Sequence, residues 1–132
     1  MPPVFVAYLL SRLVFAFKSF LVALGGQAEI EAVNSSGYIA LHYAAWEGKD
    51  AVATQLVIAN ANVNAVNNYG YTPLHNAAYN GHAIVADLLL GAGANPKAAN
   101  NFGMTPAQNA EQRGHRELAE RLRQAEASAA SK

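Results

Sequence analysis

An internal period of 33 residues constrains this chain more than any other feature. Gly37, Gly70 and Gly103 are spaced by it, and so are Gly48, Gly81 and Gly114. Gly70-Tyr71-Thr72-Pro73-Leu74-His75-Asn76-Ala77-Ala78 matches Gly37-Tyr38-Ile39-Ala40-Leu41-His42-Tyr43-Ala44-Ala45. Gly103-Met104-Thr105-Pro106-Ala107-Gln108-Asn109-Ala110 is a weaker third copy. Downstream, Val52, Val85 and Leu118 hold one apolar column, and Leu56, Leu89 and Leu122 hold another. Self-similarity at a fixed period marks repeat architectures, in which a unit too small to bury its own apolar face stacks on copies of itself.

Each part of the unit has a physical reading. The glycine at its start marks a turn where a side chain would be costly. Thr72 can cap a helix whose first position is Pro73, because a proline there gives up no needed N–H. Leu74, Ala77 and Ala78 supply a short apolar face whose small residues allow close helix packing. Gly81 ends that helix. Ile84, Val85, Leu88 and Leu89 then recur at helical spacing and predict a second, antiparallel helix over 83–90. The run Gly91-Ala92-Gly93-Ala94-Asn95-Pro96 cannot continue it, so the chain turns toward the next copy.

With this period, the Thr-Pro-Leu-His-x-Ala core resembles the ankyrin-repeat family across residues 34–126. The resemblance implies an all-α solenoid of stacked helix-turn-helix units with projecting β-hairpin-like loops. It also implies a protein-protein interaction module that binds through its inner helices and loop tips. The expected units are 34–66, 67–99 and a C-terminal capping unit at 100–126, with 127–132 as a tail expected to fray. Unit one departs from the pattern by carrying Ile39-Ala40 in place of Thr-Pro. The last unit carries Ala107, Gln108 and Glu111 where the family prefers Leu, His and Ala, and Arg123 where the others have Val57 and Leu90. Such polar substitution suits a terminal unit facing water.

Residues 1–33 fit the period less well. Gln27-Ala28-Glu29-Ile30-Glu31-Ala32-Val33 aligns with Asn60-Ala61-Asn62-Val63-Asn64-Ala65-Val66, but Val4 to Leu24 is almost wholly apolar. It reads as a divergent capping repeat with helices near 6–14 and 17–24. A membrane anchor and an amphipathic helix for self-association are the alternatives. The thirteen Leu, Val and Phe residues of 4–24 favour insertion by about 6 kcal/mol, against roughly 2.5–3.5 kcal/mol for a central Arg12 and less for Lys18. Arg12 with Ser19, and Ser11 with Lys18, fall two turns apart and make one narrow polar stripe. That stripe suits a soluble cap with an apolar patch left exposed.

Composition excludes several classes of function. Nine basic and nine acidic residues cancel, so no charge excess points to nucleic acid. Without cysteine the chain has no disulfide, thiolate nucleophile or zinc knuckle, which is compatible with a cytoplasmic protein. The resemblance implies that His42, His75, His82 and His115 brace turns by hydrogen bonds, and no partner base or nucleophile recurs beside them. Gly91-x-Gly93 follows a helix rather than a strand, the wrong context for a dinucleotide loop. The expectation is therefore a non-catalytic protein with no cofactor and no metal.

The aromatic residues carry the functional expectation. Tyr38, Trp46, Tyr69, Tyr71, Tyr79 and Phe102 fall at hairpin tips or at the end of the first helix, where the family is variable; Met104 lies beside them. Trp and Tyr bury large areas with few rotors and dominate protein interfaces. Tyr38, Trp46, Tyr71 and Tyr79 are expected to line one concave strip that binds another protein, with Tyr69, Phe102 and Met104 near it; the alternative is that they stiffen the loops by packing together. Between Asn34 and Ala99 only Glu47, Lys49, Asp50, Asp87 and Lys97 are charged, so the partner surface should be apolar or hydrogen-bonding. Finally, Leu56 with Asn62-Val63-Asn64-Ala65 is similar to the ankyrin segment modified by asparaginyl hydroxylases, with Asn64 as acceptor; the alternative is that Asn64 bonds its own loop.

Overall fold

The computed structural model describes residues 30–130; the expectations for the apolar stretch 4–24 lie outside them. Among the described residues there are six helices and no strand. The helices are α1 (Ala40–Glu47), α2 (Asp50–Ile58), α3 (Pro73–Tyr79), α4 (Ala83–Gly91), α5 (Pro106–Gln112) and α6 (Arg116–Ala130). The two helices of each unit pack together (α1 with α2, α3 with α4, α5 with α6), α3 bridges α1 and α5, and α2 packs on α4. The short helices α1, α3 and α5 thus form one row and the longer helices the other.

The helix starts show how one backbone tolerates different sequences. Thr72 Oγ1 accepts from His75 N–H, and His75 Nδ1 accepts from Thr72 N–H, closing a reciprocal cap. In the third unit Thr105 and Gln108 do the same, with the Gln108 amide oxygen in place of the ring nitrogen. In the first, Ile39 offers no cap oxygen, yet its N–H still reaches His42 Nδ1 at 3.1 Å. Half of the cap survives the loss of Thr-Pro, and α1 begins at the same place in the repeat.

The core is built by columns. Leu41 and Leu74 are fully buried, with Ala107 in the third copy; Leu56, Leu89 and Leu122 form the second column. Val52, Val85 and Leu118 lie beside Ala53, Ala86 and Ala119. Ile84, by contrast, stays 66% exposed on the outer side of α4. The tail expected to fray after residue 126 is helical as far as Ala130. The run Ala125-Glu126-Ala127-Ser128-Ala129-Ala130 contains no glycine or proline and is rich in the best helix former, so nothing in it stops α6.

Each unit opens with a β-hairpin-like loop organised by one asparagine. Asn34 Oδ1 accepts from the N–H groups of Ser36 and Tyr38, Asn67 Oδ1 from Tyr69 and Tyr71, and Asn100 Oδ1 from Phe102 and Met104. The loops are then stitched tip to tip. Asn68 N–H donates to Ser36 O and Asn101 N–H to Tyr69 O, while the amides of Asn68 and Asn101 reach Ser35 O and Asn68 O. The result is a stack of loops at a fixed pitch, with the residues at the tips held in register.

Candidate functional site

Two aromatic columns run along the short-helix side of the stack. Trp46 and Tyr79 sit at the ends of α1 and α3, one repeat apart, and their rings stack at 5.3 Å with a 21° interplanar angle. The Arg113 guanidinium continues this column, 4.5 Å from the Tyr79 ring centre. The ends are fixed by the next unit, since Asn80 Nδ2 and His82 Nε2 both donate to Trp46 O. The second column belongs to the hairpins. Tyr38 packs on Tyr43 and, edge-on, on His42, while Tyr71 packs on His75 and meets Phe102 edge to face at 6.5 Å.

Between the columns lies an open hollow of about 230 Å³. Six of the seven residues singled out in the sequence line it: Tyr38, Trp46, Tyr69, Tyr71, Tyr79 and Phe102. Met104 does not line it. Its sulfur faces Asn109 Nδ2 at 3.8 Å instead, while its N–H and carbonyl make the same bonds, to Asn100 Oδ1 and from His75 Nε2, that Tyr71 makes one unit earlier. The seventh lining residue is Asn76, on α3, which the sequence did not single out. It is buried, and its Oδ1 has no hydrogen-bond partner. Its signal in the sequence was faint: a polar residue at the variable position of the signature, where unit one has Tyr43.

No ionisable acid or base is poised in the hollow. Burial pushes the Tyr71 hydroxyl above its ordinary range, which keeps it neutral and able to donate. The Tyr43 hydroxyl accepts from Asn34 Nδ2 at 2.6 Å, whereas no bond within the described residues engages the hydroxyls of Tyr69 and Tyr71.

The histidines are structural in their geometry. His42 Nδ1 accepts from Ile39 N–H, so the ring proton sits on Nε2 and is donated to Tyr71 O at 3.0 Å, in the next unit. His75 repeats this toward Met104 O at 2.9 Å. Desolvation lowers the His42 pKa to about 4 and lowers that of His75 as well. His82 and His115 press their rings on the left-handed glycines Gly48 and Gly81, where a Cβ would stand 2.5 and 2.6 Å from Nδ1. Asn64 is also engaged between units: Nδ2 donates to Gly93 O, and Oδ1 accepts from Asn95 N–H. Among the described residues no group of three or more histidine or acidic side chains could hold a metal ion. None of their helices is long and apolar enough to cross a membrane.

A stack of helix pairs and loops, with aromatic side chains concentrated on one side, defines a solenoid repeat protein. The family model for ankyrin repeats matches residues 41–132 in three copies, and the chain belongs to the ankyrin-repeat family. Members of this family are generally protein-protein interaction modules and typically non-catalytic. No curated protein is matched by the chain.

Proposed function

We propose that this chain is a non-catalytic adaptor that holds a partner protein against the hollow between its two aromatic columns, with the hairpin tips as the second contact. The observation that carries this reading is convergence. Aromatic side chains from three successive units meet at one hollow, although nothing in core packing requires aromatics there. Phe102 is 69%, Tyr69 51% and Trp46 43% exposed, which is a large apolar area to leave in water without a use. The hollow is also smaller than the roughly 300–1,000 Å³ typical of small-molecule pockets, which favours side chains of a protein over a metabolite. The cysteine-free sequence is compatible with a cytoplasmic adaptor or scaffold.

The test compares partners cross-linked to the full chain with those cross-linked to a Trp46→Ala/Tyr71→Ala variant and to an outer-face control, Ile84→Ala. Partners of this site should be lost from the double variant by several kcal/mol of affinity and kept by the control, with helicity equal in all three. Partners lost from the control and kept by the double variant would place binding on the outer face.

A further inference from the structure

The loop asparagines Asn34, Asn67 and Asn100 each use Oδ1 to accept from two backbone N–H groups of their own loop. An amide is planar, so fixing its oxygen also aims its Nδ2 the same way in every unit. In the first unit that Nδ2 donates to the Tyr43 hydroxyl at 2.6 Å. Asn76 holds the position of Tyr43 in the middle unit, and Asn109 holds it in the last. Asn67 Nδ2 and Asn76 Oδ1 are buried with no hydrogen-bond partner among the described residues, and so are Asn100 Nδ2 and Asn109 Oδ1. The middle and last units thus each hold one unmatched donor and one unmatched acceptor, at the two positions that bond directly in the first. Turning the amides over would not pair them. In Asn67 and Asn100 it would set an NH2 group against two N–H donors, and in Asn109 it would set an oxygen against the Met104 sulfur.

We infer that each of these two units binds a structural water inside the repeat, which accepts from Asn67 Nδ2 and donates to Asn76 Oδ1 in the middle unit and joins Asn100 to Asn109 in the last. Side-chain length supports a single water. A tyrosine hydroxyl stands farther from its backbone than an asparagine amide oxygen by about 3 Å, the span of one hydrogen bond. An asparagine in the place of Tyr43 therefore stops short of the donor by the room one water needs. The four side chains are at most 5% exposed, the setting in which a water bonded on both sides is part of the fold. Its role in the middle unit is positional. Asn67 holds Tyr69 and Tyr71 by their N–H groups, while Asn76 lies on α3 in the wall of the hollow. The water ties that aromatic tip to the helix beneath it. The last unit carries the same pair away from the hollow, so the site belongs to the repeat and does not depend on a partner.

The test counts waters in solution. Magnetic relaxation dispersion of the water oxygen reports those held longer than the protein takes to tumble, and it is measured on the full chain, on Asn76→Tyr and on Asn109→Tyr. Each variant copies the pair of the first unit, in which a hydroxyl stands where the water is placed here. The expected result is about one long-lived water fewer in each variant and about two fewer in the double variant, with helicity unchanged by circular dichroism. Crystals of the full chain should show a water oxygen within about 3.2 Å of both Asn67 Nδ2 and Asn76 Oδ1, replaced by the introduced hydroxyl in Asn76→Tyr. Where the bulk of Asn76→Tyr disturbs the aromatic hollow, Asn109→Tyr decides alone, because Asn109 does not line it. An unchanged count in either folded variant, or a direct bond between the paired amides in the crystal, overturns the inference.

Discussion

The middle unit and the C-terminal unit share a backbone but differ in what their signature residues touch. His75 closes its own helix start and also reaches Met104 O in the next unit, whereas Gln108 closes its helix start alone. A Cβ on Gly70 would stand 2.7 Å from the Asn101 side chain, and one on Gly81 would stand 2.6 Å from the His115 ring. At Gly103 and Gly114 it would meet nothing within 4 Å. The repeat signature therefore encodes two things, a local turn and a contact with the next copy. The last unit keeps the first while relaxing the second, which is why its histidine and its leucine could change.

The glycines offer the sharpest way to break this comparison. Gly81 and Gly114 both hold positive φ, 74° and 85°, which costs an alanine about 1–2 kcal/mol. Gly81→Ala additionally drives a methyl into the His115 ring, so overpacking adds roughly 1–3 kcal/mol. Urea unfolding should therefore show Gly81→Ala losing about 2–5 kcal/mol and Gly114→Ala only the strain component. Equal losses would mean that the His115 contact contributes nothing to stacking.

Histidine against glutamine gives the next effect. His42 is buried and neutral, with its pKa lowered from 6.5 to about 4 by desolvation. Between those values the unfolded chain binds the proton and the folded chain does not. Stability is thus complete above about pH 6.5, falls as pH drops toward 4, and levels below that, by about 3 kcal/mol for this group. His75 acts in the same direction. His42→Gln, which copies what Gln108 does in the last unit, should flatten stability against pH over that window while lowering it at pH 7 through the lost bond to Tyr71 O. An unchanged slope would show that His42 protonates as easily folded as unfolded.

Much of this was legible in the sequence, and what was missed follows a physical pattern. The period, the Thr72-Pro73 helix start, the Leu56-Leu89-Leu122 column and six residues of the hollow were all readable, because each depends on side chains acting within one repeat or at matched positions. Asn76 was not, although Asn109 repeats it one period later, since an asparagine at a variable position reads as a surface residue until its burial is known. The Asn34, Asn67 and Asn100 column was present at the same spacing, but its role appears only when the loop closes around each amide oxygen. Met104 was grouped with the aromatics by proximity in sequence, but its sulfur faces Asn109 rather than the hollow. The end of α6 was placed early because a terminus was expected to fray; its alanines had no reason to.

Caps sharpen the comparison at a smaller scale. Thr72 is buried and Thr105 only half-buried, with cap bonds of 3.2 and 3.3 Å. Removing the acceptor leaves His75 N–H buried without a partner, whereas Gln108 N–H can turn to water. Thr72→Ala should cost about 1–2 kcal/mol and Thr105→Ala about 0.5 kcal/mol by denaturant unfolding. A larger loss at Thr105 would mean that the last unit depends on its own start more than on its neighbour.

The smallest effect expected is at the one ion pair that joins the two units' outer helices, Asp87 on α4 with Arg121 on α6 at 3.1 Å. If contact between units were mainly electrostatic at this boundary, the pair would matter as much as the glycines. Both side chains are about half exposed, so water and salt screen the attraction, and two flexible chains must be ordered to make it. A double-mutant cycle with Asp87→Asn and Arg121→Gln should give a coupling of roughly 0.2–1 kcal/mol, smaller still in high salt. A salt-insensitive coupling well above that range would mean that the units are held by charge, and that the steric fit at Gly81 is secondary. The expected small value instead assigns the boundary to shape: a left-handed glycine and the ring that covers it.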